Sequence, residues 1–283
     1  MTAIHGGYGD VQSPIVSPVI TFLTDYGLED GYVGACHGVI AGIAPDTRII
    51  DLCHLVPAGD VRKGAAILVQ TISCLPVGVH LCVVDPGAGS ARRGVAVEAG
   101  GRVFVGPDNG LMSWALQACG GATSAYEITN ADFFRRPISP TFHGRDVFSP
   151  VAAHLCLGRD PSELGPALDL DRLIILPEPT SLVSEGQVEG EVVSVDRFGN
   201  IQLSITAGDL AFLGMRAGLS VGVGIGRRSL SMPFRESFSA VPPGDLVIFT
   251  DAAGLIAIAV NSGDAAQQLA LPPGARVRIS NPH

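Results

Sequence analysis

Val19-Ile20-Thr21-Phe22-Leu23-Thr24-Asp25-Tyr26-Gly27 decides the fold class of this chain. Its first six residues form a β-branched, apolar run with no polar alternation, the pattern of a strand buried on both faces. An acidic residue and a glycine follow at once. Tyr32 to Ala44 then carries apolar residues at helical spacing and stops at Pro45. Arg48 to Cys53 reads as a second strand, Val61 to Leu75 as a second helix and Val79 to Val84 as a third strand. Gly94 to Val97 and Arg102 to Val105 read as a hairpin around Ala99-Gly100-Gly101. Leu111 to Cys119 is a short helix, Ala125 to Thr129 a strand, and Asp146 to Leu157 a helix. Such alternation predicts an α/β domain, a mostly parallel sheet covered by helices on both faces.

The helical signal fades after Pro177-Glu178-Pro179-Thr180. Gln187 to Val195, Ile201 to Ile205, Leu219 to Ile225, Leu246 to Thr250, Leu255 to Val260 and Arg276 to Ile279 read as short strands between Gly- and Pro-rich turns. They predict a small β-barrel or sandwich. The expected organisation is an N-terminal extension over 1–18, an α/β domain over 19–178, a linker over 179–187 and a smaller β domain over 188–283.

Composition excludes several classes. The chain has 283 residues, 47% hydrophobic and 16% charged, which suits two globular domains. A net charge of -9 without a Lys/Arg cluster argues against nucleic acid as a partner. Mean hydropathy is high at +0.37, yet no apolar run reaches the roughly 20 residues a membrane span needs. Residues 1–18 lack a basic segment followed by an apolar one, so a cytoplasmic location is expected. The six cysteines form no C-x-x-C pair and read as buried, reduced thiols.

Polar residues collect where strands end. Asp25 follows the first strand, Asp51 and His54 close the second, Asp85 closes the third, and Asp108 and Asn109 follow the hairpin. Ligands of open parallel sheets bind at that edge, although a single Asp there is more often a turn former or helix cap. Asp85, Arg92 and His143 form a candidate charged cluster around a water, with Arg holding Asp ionised and His able to take or relay a proton. Asp25, Asp85, His143 and Asp146 also have the chemistry of a metal shell, but no short-range ligand signature accompanies them, and no metal is expected. A P-loop, a G-x-G-x-x-G between the first strand and helix, and a nucleophile elbow are all absent.

Seven segments in order resemble one family. They are Phe22-Leu23-Thr24-Asp25-Tyr26-Gly27, Ile50-Asp51-Leu52-Cys53-His54, Val84-Asp85-Pro86-Gly87-Ala88-Gly89, Pro107-Asp108-Asn109-Gly110, Thr141-Phe142-His143-Gly144-Arg145-Asp146, Asp196-Arg197-Phe198-Gly199-Asn200 and Val260-Asn261-Ser262-Gly263. They resemble the S-adenosyl-L-methionine (SAM) hydroxide adenosyltransferases, the adenosine-forming SAM hydrolases related to fluorinase and chlorinase. The resemblance implies an α/β domain, a C-terminal β-barrel, and a homotrimer with sites between subunits. It implies that SAM is the substrate, cleaved by water to adenosine and L-methionine without a cofactor. Asp85, Arg92 and His143 match the set that positions the water, and Asp25 the ribose carboxylate. Phe142 matches the group packed near the reacting carbon, and Asp196 the partner of the methionine ammonium. Asn200, Asn261 and Ser262 match the adenine edge.

A SAM-dependent halogenase is the near alternative, and a non-catalytic SAM or adenosine binder a further one. In the halogenases an uncharged aromatic stands where this chain has Asp85. A carboxylate there would repel a halide by on the order of a few kcal/mol in a partly dry pocket. The insertion typical of fluorinase after the third strand is also missing, since Ala99-Gly100-Gly101 alone turns the hairpin.

Overall fold

A computed structural model describes residues 19–281, and the expected extension over 1–18 lies outside them. The described residues divide into two compact units, 19–64 with 71–174, and 65–70 with 175–281.

The first unit contains β1 (Val19–Thr24), α1 (Tyr32–Ile43), β2 (Arg48–Cys53), α2 (Val61–Thr71, shared with the second unit), β3 (Val79–Val83), β4 (Gly94–Ala99), β5 (Arg102–Pro107), α3 (Ser113–Ala118), β6 (Ser124–Glu127) and α4 (Ser149–Cys156). Its sheet runs β2-β1-β3-β5-β4-β6. β1 is parallel to β2 and β3, and β3 to β5, while β4 is antiparallel to both β5 and β6. Every residue of β1 and β3 is buried, which is why both read as unbroken apolar runs. α1 and α4 pack on each other, and Ile20, Phe22, Ile40, Leu81, Phe148 and Val151 share one core. Each such side chain contributes roughly 1.5–3 kcal/mol by leaving water.

This strand order locates the site. The chain leaves β1 for β2 on one side, then crosses back to β3 on the other. The carboxyl ends of β1 and β3 are therefore the switch point of this sheet, the place where α/β sheets bind ligands. Asp25 follows β1, and Asp85 lies two residues beyond β3.

The helix expected from Asp146 begins differently. Gly144–Phe148 form a single π-turn, with the Ser149 N–H donating to the Gly144 carbonyl five residues back. Pro150 has no N–H to offer the Asp146 carbonyl, and the Arg135 N–H serves it instead at 2.9 Å. The helix therefore opens wide before α4 tightens.

The second unit contains β7 (Leu182–Ser184), β8 (Gln187–Val195), β9 (Ile201–Thr206), α5 (Ala207–Phe212), β10 (Ser220–Ile225), β11 (Arg228–Pro233), β12 (Leu246–Thr250), β13 (Leu255–Val260), α6 (Ala265–Leu269) and β14 (Arg276–Ser280). The strands run β11-β10-β14-β8-β9-β13-β12, antiparallel throughout, with β7 also paired to β8. A bridge from Phe234, just past β11, to Ile248 of β12 draws the two ends together into a nearly closed barrel. Val192, Ile201, Leu203, Val221, Ile248, Ile258 and Val277 fill it.

Candidate active site

Asp85, Arg92 and His143 come together in the first unit. Asp85 leaves β3, Arg92 stands two residues before β4, and His143 immediately precedes the π-turn. Both Asp85 oxygens accept from the Arg92 Nε–H, at 2.9 and 3.0 Å, and Oδ2 also pairs with Nη2. The same Nη2 lies 2.9 Å from His143 Nδ1. The guanidinium rests on the Phe148 ring at 5.1 Å, and that ring sits where a side chain on Gly94 would stand.

These contacts fix the imidazole. A guanidinium only donates, so His143 Nδ1 must accept, and the ring proton of neutral His143 sits on Nε2. Burial, and then the Arg92 charge, push this imidazole below its usual 6.5, which favours the neutral form. The arrangement thus presents one N–H donor, on His143, and one acceptor-only group, on Asp85. A water between them would be held by its oxygen on one side and by a proton on the other.

Asp25 is fixed by the Gly59 N–H, which donates to Oδ2 at 2.8 Å. Next to it, Tyr26 is a site residue that the sequence reading passed over. Its ring meets Phe142 edge-on at 5.6 Å, and Phe142 meets Tyr32 at 5.2 Å. The Tyr26 hydroxyl lies against Gly144 and has no room for a Cβ there. Burial, and then the negative charges around it, Asp25 and Asp85 included, push its pKa far above the ordinary 10, so it stays a neutral phenol. Arg145 stacks on Phe142 at 4.8 Å and completes this wall.

Other strand-end residues have structural roles. Asp146 is fully buried and held by Arg145, Arg135 and the Ser139 N–H. Asp108 pairs with Arg93 and accepts from the Ile174 N–H. Asn109 Nδ2 donates to the Val84 carbonyl at 2.8 Å and so braces the loop that carries Asp85.

The remaining candidates lie in two turns of the second unit. Asp196 accepts from the Phe198 and Asn200 backbone N–H groups and from the Asn200 side chain, at 2.8, 2.9 and 2.7 Å. Asn261 Nδ2 donates to the Val241 carbonyl at 2.7 Å, and its side-chain oxygen Oδ1 accepts from the Ser262 hydroxyl at 3.2 Å. Ser262 holds a left-handed conformation, with φ 60°. The turns touch. Gly199, at φ 80°, lies so close to Asp264 that a Cβ would overlap its carboxyl group, and the Ala266 N–H donates to the Gly199 carbonyl at 3.0 Å.

Two family models cover this framework. Residues 20–165 match the SAM hydroxide adenosyltransferase N-terminal domain, and residues 190–278 match the C-terminal domain. The chain belongs to the SAM hydroxide adenosyltransferase family. An (R)-S-adenosyl-L-methionine hydrolase of Salinispora arenicola is 48% identical over 269 residues, covering 93% of this chain and 98% of that one. One of the same name from Thermus thermophilus is 39% identical, over 92% and 98%. A fluorinase of Actinopolyspora mzabensis is more distant, 28% identical over 93% and 97%. Among solved structures, an uncharacterized conserved protein of Thermotoga maritima is 36% identical with a TM-score of 0.86, covering 93% of this chain and all of that one. Asp25, Asp85, Arg92, Phe142 and His143 fall within the family's N-terminal match, and Asp196, Asn200, Asn261 and Ser262 within its C-terminal match.

Proposed function

We propose that this chain hydrolyses SAM to adenosine and L-methionine, and the observation that carries the reading is the Asp85–Arg92–His143 array. A water oxygen attacks the ribose C5′ carbon as the C5′–S bond breaks. The bonding pair returns to sulfur, so the cationic sulfonium becomes the neutral thioether of methionine. This leaving group needs no acid or Lewis acid, and no cofactor is proposed. The protein's part is in-line placement of water and removal of its proton. Arg92 cannot accept that proton, and the Nδ1 of His143 is already turned to Arg92. Asp85 is therefore the acceptor, with the His143 Nε2–H orienting the water oxygen.

Asp25 is proposed to hold the ribose hydroxyls and Phe142 to shield the reacting carbon. Asp196 would pair with the methionine ammonium, and Asn200, Asn261 and Ser262 would bind the adenine edge. A homotrimer with substrate shared between subunits is part of the proposal, resting on family resemblance. The six free cysteines favour a reducing, cytoplasmic setting. Among the described residues no helix is long and apolar enough to cross a membrane.

The deciding experiment incubates chelator-treated protein with SAM and follows products by chromatography. Adenosine and methionine should appear in equal amounts. SAM bound but left intact would refute catalysis, and a 5′-halo-adenosine at high halide would point to the halogenase reaction. For the shared site, mixing inactive Asp85→Ala and Asp196→Ala chains under exchange conditions should restore part of the activity. No recovery after proven exchange would place each pocket within one chain.

A further inference from the structure

Away from Asp85, Arg92 and His143, a second polar group gathers where β2 ends. His37 stands on α1, Asp51 on β2, and His54 directly after β2. The Nε2 atoms of His37 and His54 each lie 2.9 Å from the same Asp51 oxygen, Oδ1. The three donor atoms lie within 4.8 Å of one another, and among the described residues no other trio of His, Cys, Asp or Glu atoms gathers so closely.

The parallel pairing of β1 and β2 sets Phe22 opposite Asp51. The Phe22 ring packs beside both imidazoles, 5.9 Å from His37 and 4.9 Å from His54. His54 is buried and its ring is oriented through its other nitrogen, with Nδ1 2.8 Å from Thr24 Oγ1. The Thr24 hydroxyl also accepts from the Tyr26 N–H at 3.2 Å. His37 and Asp51 are open to solvent, with side chains 34% and 43% exposed, so an ion has an entry path.

We propose that His37, Asp51 and His54 form a binding site for one divalent first-row transition-metal ion of the zinc type. Two imidazoles and one carboxylate, with remaining positions open to water, are a recurrent donor set for such ions. Metal-binding histidines are characteristically steered through their second ring nitrogen, as Thr24 steers His54. Ligand bonds of about 2.0–2.2 Å would set neighbouring donors roughly 3.3 Å apart in a tetrahedron. The two 2.9 Å spacings to Asp51 need to open by a few tenths of an ångström, and the spacing between the two imidazole nitrogens, within 4.8 Å, needs to close by up to about 1.5 Å, movements that the partly exposed His37 and the exposed Asp51 can supply. The ion would replace the imidazole protons now aimed at Asp51 and would tie α1 to β2. It has no part in the displacement at C5′, and the proposal does not depend on the hydrolase reading.

The test uses the full chain, free of any tag, stripped with chelator and desalted. Zinc chloride is the probe, and bound zinc is counted by atomic emission after equilibrium dialysis. The expected result is one zinc per chain, with affinity at least tenfold weaker in both His37→Ala and Asp51→Asn. Zinc should raise the melting midpoint of the parent by several degrees and that of neither variant, with circular dichroism verifying that all three are folded. Cobalt(II) should give visible absorption bands in the parent alone. Absence of stoichiometric zinc, or parent-level affinity in either variant, would overturn the assignment. Turnover of SAM by the stripped protein is a separate measurement, so the two readings fail independently.

Discussion

Gly144 carries a prediction that depends on the shape of the site. Its backbone is helical, so Gly144→Ala should by propensity alone stabilise the π-turn by up to about 1 kcal/mol. The surroundings reverse that sign. The new Cβ would overlap the Tyr26 hydroxyl oxygen and stand 2.9 Å from Cζ and 3.2 Å from Cε2. To restore ordinary contact, the phenol and the backbone beside His143 must part by about 1.5 Å. Tyr26 is wedged against Phe142 and Tyr32, so part of that movement falls on His143. A displacement of that size at a reacting geometry costs roughly 10²-fold in rate. The expected result is a kcat/KM for SAM about 10²-fold below the parent, read by chromatographic release of adenosine. In the Tyr26→Phe background the overlapping oxygen is gone, and the residual 2.9 Å contact requires only a few tenths of an ångström. Gly144→Ala should then cost less than about tenfold, a double-mutant coupling through space. Parent-level turnover in the single variant, or an equal loss in both backgrounds, would refute the argument.

Asp85→Asn keeps the side chain's shape but removes the proposed proton acceptor, so kcat should fall roughly 10²–10⁴-fold while SAM binding changes much less; unchanged kcat would assign the proton elsewhere. Because burial and Arg92 lower the His143 pKa, its working neutral form persists as pH falls, and the acid limb of kcat/KM should lie below pH 6.5; half-loss above that value would contradict the assigned tautomer. His80 is wholly buried between Thr21 and Arg102, and burial lowers its pKa from 6.5 to about 4. Between those values the unfolded chain binds the extra proton, so stability is full above pH 6.5 and falls by about 3 kcal/mol as pH drops to 4. Thermal melts of the parent should therefore steepen in acid relative to His80→Gln, and parallel curves would refute this. Gly199→Ala meets both a left-handed backbone and the Asp264 carboxyl group, a combined penalty of about 2–4 kcal/mol; calorimetry should show a lower melting temperature and SAM assays a raised KM.

Much of this could be read from the sequence, for reasons that differ by element. β1 and β3 were plain because a doubly buried strand admits no polar interruption. β11 was missed because its Arg228, Ser229 and Ser231 face water and leave too few apolar residues to mark a strand. α5 is six residues long, too short for a periodic signal, yet Thr206 and Asp209 form the capping box that announces it. Asp85 and His143 were legible because each sits in a distinctive local motif; Arg92 lies outside those segments, seven residues after Asp85. Tyr26 was not legible, since its partner Gly144 lies 118 positions away and an aromatic in a loop reads as packing. His37 escaped for a similar reason: only the parallel pairing of β1 with β2 and the packing of α1 bring it to Asp51.

The π-turn at Gly144–Phe148 makes the geometry of the candidate site sensitive to chain length by a single residue. A π-turn holds one more residue than the α-helical turn it replaces, and an α-helix rotates about 100° per residue. Deleting one residue between Gly144 and Phe148 would remove the extra residue of the π-turn while Pro150 still lacks an N–H to close a regular turn, so the start of α4 would have to rebuild. The deletion would also swing His143 about a quarter-turn away from Arg92. One codon inserted or deleted here is thus enough to disturb both the candidate site and the buried residues Asp146 and Phe148 beside it.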